Sequence, residues 1–346
     1  MDSSPYKQTA LVPRLPLSLT QAGQLADQLT AELTFARYQE RQAPNTLRRH
    51  LADLSLFATY LQAIPGIVFT GDLYHHPAAW SGMSKGLVEG FVQWQLNAGY
   101  AISSVNARLS TVRLYARLAL GAGVLPEQQA AMIRTVSGYR GREGRRIDEK
   151  RAVHRVGAKK ANWTSLTVEQ AHALINQPDT PQGRRDRLLL CLLLYHGLRC
   201  SEVAQLQVDS FDLVKGVMAF EQPKTGKMLR HQLHLQTSLA VMRYLTLDHP
   251  TRTGPLLVGS QKGGKLTGGM SPSAINQRIR ALGKRIGVTR MILSPHDLRH
   301  FWATSATEAG TDLESLKQAG GWSSLEMPLR YIKEREIANE KVKLAH

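Results

Sequence analysis

The chain has 346 residues, 42% of them hydrophobic, which is apolar content enough for packed cores and too much for a disordered chain. At roughly 100–200 residues per domain, two domains are expected. A formal net charge of +17 and an isoelectric point near 10.1 point to a polyanionic partner, because a chain so far from neutrality repels itself until counter-charge arrives. A merely soluble basic surface is the competing reading.

An anionic membrane is the weaker reading, since no amphipathic segment gathers its lysines on one face. The longest apolar run, around residues 188–195, falls short of the ~18 residues a membrane span needs and has the length of a buried helix. No basic stretch followed by an apolar core opens the sequence, so no signal peptide is expected. Cys191 and Cys200, the two cysteines, cannot build a metal cluster by themselves. They fit a reduced cytoplasmic protein with ordinary buried thiols.

In chain order, residues 1–20 contain Pro and Ser without periodicity and read as a flexible arm. Residues 21–139 read as an all-α bundle. Leu47, Leu51, Leu54, Phe57, Tyr60 and Leu61 recur at three- and four-residue steps, one face of an amphipathic helix, with Asn45 after Pro44 as its N-cap. Leu87, Phe91, Trp94 and Leu96 predict a second helix. Val105, Leu109, Val112, Tyr115 and Leu118 predict a third, carrying Arg108, Arg113 and Arg117. Residues 140–162, within GYRGREGRRIDEKRAVHRVGAKKANW, are Gly-dotted and almost free of apolar side chains, which predicts a basic linker. Such a run is usually only solvated. Its Arg140, Arg142, Arg145, Arg146, Lys159 and Lys160 also suit a strap along a phosphate backbone.

Residues 163–333 form the second expected domain. A capped helix is predicted over 167–175 and a buried one over 184–196. GVMAFEQPKTGKMLRHQLHL alternates around a Lys-Thr-Gly-Lys turn, the mark of short antiparallel strands. Residues 262–269 read as a Gly-rich loop between helices. The expected fold is mainly α: an all-α N-terminal bundle, then a mainly helical domain with a small antiparallel β-sheet.

Four stretches of this domain carry candidate chemistry. In HGLRCSEV, Arg199 lies three residues before Glu202; such pairs commonly decorate helices for a few tenths of a kcal/mol, but an arginine held by a carboxylate is preorganised to grip a phosphate. In EQPKTGKMLR, Lys224 and Lys227 flank a hairpin tip, where a lysine is ordinarily solvated. In SPHDLRH, Ser294 as N-cap with Pro295 at the first helical position places His296 and Arg299 one turn apart. In TDLESLKQAGGWSSLEMPLRYI, Thr311 and Glu314 have capping-box spacing and Gly320-Gly321 stops the helix. Pro328 sits awkwardly in the following segment, and Tyr331 alone reads as a packing residue.

Taken in order, Arg, Lys, His-x-x-Arg, Gly-Trp and Tyr resemble the tyrosine recombinase (phage integrase) family. GLRCSEV resembles its first box, HDLRH its second, and QAGGWSSLEMPLRYI is similar to the nucleophile segment of the Cre-like members. The likeness runs from about residue 166 to 333, and APNTLRRHLADLSLFATYL looks like the start of the family's core-binding domain. The resemblance implies that Arg199 and Arg299 bind phosphate, supported by Glu202. It makes Lys224 the hairpin lysine, with Lys227 the nearest competitor and otherwise a DNA contact. It makes His296 the catalytic histidine and Tyr331 the nucleophile. Trp322 takes the place of a residue that is His in many members and Trp in others. It further implies double-stranded DNA as partner, a homo-tetramer on two paired sites, accessory DNA-bending proteins as further partners, and residues 334–346 docking on a neighbouring protomer. Work on DNA places the protein in the cytoplasm, at the nucleoid when bound.

The chemistry agrees with these residue types. Guanidiniums aimed at a phosphodiester's non-bridging oxygens favour the transition state, and losing one such donor costs about 3–4 kcal/mol. A phenol at its ordinary pKa is ionised in only about one molecule in a thousand at neutral pH, so it needs neighbouring cations and a base such as His296. Attack by Tyr331 would store the bond energy in a 3′-phosphotyrosyl linkage. No cofactor and no metal are expected: the sequence has no GxxxxGK[ST] loop and no evident carboxylate cluster. The leading expectation is a site-specific DNA recombinase. A type IB topoisomerase-like nicking-closing enzyme and a catalytically inactive DNA-binding regulator are the alternatives.

Overall fold

The computed structural model describes residues 18–150, 164–223, 225–260, 266–288 and 292–333. They fall into two compact units, the first within Met1–Lys159 and the second within Lys160–His346. Both are mainly helical, and among the described residues the only sheets are small, antiparallel and in the second unit. None of the described helices is long and apolar enough to cross a membrane. The expected arm, residues 1–20, lies outside the described residues up to position 17; its last three residues are not arm, since Ser18 caps the first helix and Leu19 and Thr20 begin it.

The first unit comprises α1 (Leu19–Glu40), α2 (Pro44–Gln62), α3 (Lys85–Asn97), α4 (Ile102–Gly121), α5 (Glu127–Thr135) and α6 (Gly141–Lys150). Helix α4 is its centre and packs against α1, α2, α3 and α5. Val105, Leu109, Val112 and Tyr115 supply its buried face. The predicted α2 face needs correction. Leu51 is exposed, and the inner stripe is His50, Leu54, Phe57 and Leu61, with Asp53 buried beside it. Asp53 is tolerated there because the Thr111 hydroxyl of α4 donates to it at 2.7 Å and Arg108 lies 3.9 Å away. Asn45 is not the N-cap: Ala43 is, Pro44 opens the helix, and Asn45 accepts from the Arg48 guanidinium inside it.

The start of the expected linker is also different. Residues Gly141–Lys150 are helical, and Ile147 packs on the core of this unit while Gly144 is buried where a Cβ would lie 3.3 Å from the Ile102 side chain. One apolar side chain and one glycine in the right register let an otherwise polar helix dock, which a composition count misses.

The second unit comprises α7 (Val168–Ile175), α8 (Pro181–Tyr195), α9 (Cys200–Gln205), β1 (Phe211–Asp212), β2 (Val217–Glu221), β3 (Met228–Gln232), α10 (Leu235–Leu247), β4 (Val258–Ser260), β5 (Leu266–Gly269), α11 (Pro272–Arg285), α12 (Pro295–Glu308), α13 (Leu313–Gly320) and α14 (Glu326–Lys333). Leu188 to Leu194 are all buried because α8 runs through the middle, flanked by α7, α9, α10 and α12. Each of its leucines contributes about 2 kcal/mol of transfer free energy. Cys191 is buried here and burial pushes its thiol up to about 12, while Cys200 is only half-buried.

Strands β1, β2 and β3 form one antiparallel sheet, Glu221 pairing with Met228 next to the hairpin turn. The Gly-rich stretch expected as loop contributes β5, which pairs with β4 across a register irregularity. Glycines hid the strand because they lower strand propensity while still permitting ladder hydrogen bonds.

Candidate active site

Helix α8 ends in a reversal that only glycine permits. Gly197 has φ +59°, and a Cβ there would lie 2.1 Å from the Trp302 ring of α12. The chain then delivers Arg199 as the N-cap of α9. Glu202 is therefore more than a helical neighbour. Its carboxylate, 2% exposed, accepts from the Arg199 backbone N–H and from the Arg199 guanidinium, both at 2.7 Å. One side chain caps the helix and clamps the arginine, whose own side chain stays 37% exposed.

Helix α12 begins as the Ser294-Pro295 pair predicts. Asp297 locks the start: Ser294 donates to it through its N–H at 2.7 Å and its hydroxyl at 2.6 Å, and the Thr164 N–H donates at 2.8 Å. His296 is exposed on this first turn. Arg299, one turn further, is buried to 4% exposure, which the surface reading of a helical arginine does not anticipate. Its guanidinium donates to the carbonyl oxygens of Gly197 and Gly320, the latter at 2.6 Å, and lies 4.7 Å from the centre of the Trp322 ring. Burial and then the Arg199 charge hold its pKa down to about 10, against the opposing pull of Glu202 and Tyr331. Arg299 is thus a buried cation whose hydrogen-bond acceptors among the described residues are neutral carbonyls.

Helix α13 starts from Asp312, which accepts from the Ser315 N–H; Thr311, the predicted cap, stands one residue outside. It stops at Gly321, φ +57°, where the N–H groups of Gly321 and Trp322 return to the carbonyls of Gln318 and Lys317. A Cβ on Gly320 would meet the Trp322 ring at 2.3 Å, so the paired glycines let the indole fold back over the turn. That places it between Arg299 and Tyr331, whose ring centre is 5.8 Å away.

Pro328 is the third residue of α14, in the first turn, where no N–H is needed and proline is tolerated. Helix α14 packs on α12 and α13. Tyr331 is 3% exposed and meets His300 edge-on at 4.6 Å. Burial first, then the charge of His296, lower the His300 pKa, with Asp297 opposing.

Folding thus gathers Arg199, Glu202, Arg299, Trp322 and Tyr331, with His296 at the start of the helix that carries Arg299. Lys224 lies outside the described residues. Lys227 is exposed on the hairpin, on the rim of a cleft of about 930 Å³ whose walls include His231, Trp302, Lys317 and Trp322. Arg140, Arg142 and Arg146 are exposed in the first unit; the Arg145 side chain, Lys159, Lys160 and residues 334–346 lie outside what is described. Three residues escaped the sequence reading. Gln222 is buried, His231 has an enclosed Nε2 with no hydrogen-bond partner among the described residues, and His300 touches Tyr331. Only His300 had a signal, its place directly after Arg299.

This arrangement has a counterpart among known families. The model of the "Phage integrase family" matches residues 164–336, the span that holds every member of the cluster. The chain belongs to the phage integrase family. Its activity is that family's site-specific DNA recombination through a tyrosine. Relatives include the tyrosine recombinase XerD of Xanthomonas axonopodis pv. citri, 29% identical over 69% of this chain and 81% of its own. The tyrosine recombinase XerC of Chlamydia trachomatis serovar L2 is 26% identical over 87% of this chain and 91% of its own. This integrase shares its fold with a lambda integrase dimer bound to a core site, at 13% identity and a TM-score of 0.60 over 88% of this chain and 96% of that one.

Proposed function

We propose that this integrase cuts and rejoins duplex DNA at a defined sequence through a 3′-phosphotyrosyl linkage to Tyr331, with Arg199 and Arg299 holding the scissile phosphate. The observation that carries this reading is the buried Arg299 cation, lowered to about 10 by burial and by the like charge of Arg199. Two guanidiniums gathered against one carboxylate, Glu202, leave positive charge to be compensated. A phosphodiester supplies that charge, and its developing charge during attack is where preorganised donors act most.

The remaining roles follow from side-chain chemistry. His296, exposed on the first turn of α12, takes the phenol proton. Lys224 returns a proton to the departing 5′ oxygen, with Lys227 its competitor. Trp322 donates its indole N–H and shields Arg299 from water, and it cannot shuttle protons. Tyr331 is buried under His300 and Trp322, so attack requires α14 to release the phenol toward the phosphate. The stored bond energy makes rejoining independent of ATP.

The first unit suits a clamp on the duplex. Arg113, Arg117 and Arg134 line a cleft of about 340 Å³, and Arg140, Arg142 and Arg146 are exposed. Solved neighbours of the same fold include the Tn1549 transposon integrase with transposon right end DNA and XerH with its difH substrate in a post-cleavage complex. A homo-tetramer on two paired sites, helped by DNA-bending proteins and located at the nucleoid, completes the reading.

The test is covalent capture. The protein is incubated with sheared DNA of its source replicon, denatured, and the DNA remaining bound is sequenced. One recurrent 3′ end, dependent on Tyr331, is expected, and a nicked duplex carrying it accumulates adduct. Adducts of equal yield from Tyr331→Phe would end the nucleophile assignment, and adducts scattered over sequence would favour the nicking-closing alternative.

A further inference from the structure

The two arginines are held by separate pieces of chain, Arg199 by Glu202 and Arg299 by the Gly320–Gly321 turn, and one buried amide joins these two anchors. Gln222 is the last residue before the β2–β3 turn and is 4% exposed. Its Nε2 donates to Glu202 Oε1 at 3.3 Å, the oxygen that also receives the Arg199 guanidinium, and to the Gly321 carbonyl at 3.2 Å. The preceding carbonyl, that of Gly320, is the one that receives Arg299. Because a carboxylate and a carbonyl face this end of the side chain, only the NH₂ group can sit there, and the amide orientation is set by chemistry.

The other end of the residue is equally committed. Oε1 accepts from the Thr225 hydroxyl at 3.2 Å. The Gln222 backbone closes the turn, its carbonyl accepting from the N–H groups of Thr225 and Gly226 and its own N–H donating to Lys227. The partners across the site leave space for nothing larger: a Cβ on Gly321 would lie 1.9 Å from Gln222 Nε2. A continuous polar chain therefore runs from Arg199 through Glu202, Gln222 and the Gly-Gly turn to Arg299.

We propose that Gln222 is a positioning residue that sets the spacing of the two guanidiniums by tying Glu202 to the Gly320–Gly321 turn. It touches neither phosphate nor nucleophile. Its effect is on how well two charges on different elements converge on the non-bridging oxygens of one phosphate. The proposal rests on Arg199 and Arg299 being the phosphate-binding pair.

The experiment uses the full chain and a nicked duplex bearing the captured cleavage site, synthesised with either the ordinary phosphodiester or a methylphosphonate at the scissile position. The methyl group removes the charge that the arginines meet, so their spacing matters much less on that substrate. Gln222→Met keeps the shape and loses both donations; Gln222→Asn keeps the amide and is too short to span both anchors. Each is expected to slow single-turnover cleavage of the phosphodiester by about ten-fold or more, the weight of a hydrogen bond to a charged group. On the methylphosphonate each is expected to stay within about three-fold of wild type, since no charge-assisted contact is then at stake. Equal slowing on both substrates would mean general loosening and would overturn the proposal, as would wild-type rates on both. If one variant does not fold, the other decides. If the unaltered protein forms no Tyr331-dependent adduct, the phosphate-site assignment and this proposal fall together, whereas an active parent lets the variants judge Gln222 alone.

Discussion

Replacing each arginine by lysine separates what the two do. Arg299 donates through its two terminal nitrogens to two carbonyls, Nη1 to Gly197 and Nη2 to Gly320, deep in the second unit. A lysine ammonium cannot reproduce that fork, so at least one carbonyl loses its charged partner, a loss of about 2 kcal/mol. For a unit of this size that lowers the melting temperature by about 4–8 °C. Arg199 is 37% exposed and bound on one side by Glu202, so Arg199→Lys keeps its ion pair and shifts stability by less than about 1 kcal/mol. On the proposed phosphate assignment both changes remove a bidentate contact, and both are expected to slow cleavage by roughly a hundred- to a thousand-fold. Calorimetry and single-turnover adduct formation on the nicked duplex read the two effects separately. Cleavage by Arg299→Lys within about three-fold of wild type would refute the phosphate assignment. A melting temperature as little changed as that of Arg199→Lys would refute the anchoring by the two carbonyls.

Gly321→Ala combines a left-handed conformation, costing about 1–2 kcal/mol, with displacement of Gln222. Gly287→Ala, at φ +81° with open space around its Cβ, carries only the conformational part, so denaturant titration should find Gly321→Ala clearly the worse; equal losses would contradict the close approach. His196 is buried, hydrogen-bonded to the Thr237 hydroxyl, and lowered to about 3 by burial and by His231 and His234. Because its folded pKa is below its unfolded value, stability is full above about pH 6.5 and falls as the pH drops toward 3, by on the order of 4 kcal/mol. His196→Gln should flatten acid unfolding over that window, and an unchanged profile would place the acid sensitivity elsewhere. DNA affinity should fall steeply with salt, and Arg142→Ala and Arg146→Ala should each reduce the slope of log affinity against log salt by about 1 if these side chains meet phosphate. Filter binding across a salt series measures it.

Local chemistry was legible where a short stretch carries its own physics. Ser294-Pro295 starts a helix and Gly320-Gly321 stops one whatever lies around them, and seven buried residues in a row in α8 announce a helix surrounded on all sides. Local rules failed where a partner is remote. On α2 it is His50, not Leu51, that is buried, as is Asp53 with its hydrogen bond from Thr111 of α4. Residues 141–150 became helix because Ile147 and Gly144 found the core of the first unit.

The sequence by itself determined the chemistry: the kinds of side chain, their order along the second half and the family they belong to. The tertiary structure alone decided that Arg299 is buried on carbonyls 102 and 21 residues away and that Gln222 bridges Glu202 and Gly321, 20 and 99 residues distant. Helical and strand periodicities report contacts within a few residues. Hydrogen bonds across such separations depend on how helices stack around α8, which no local window contains.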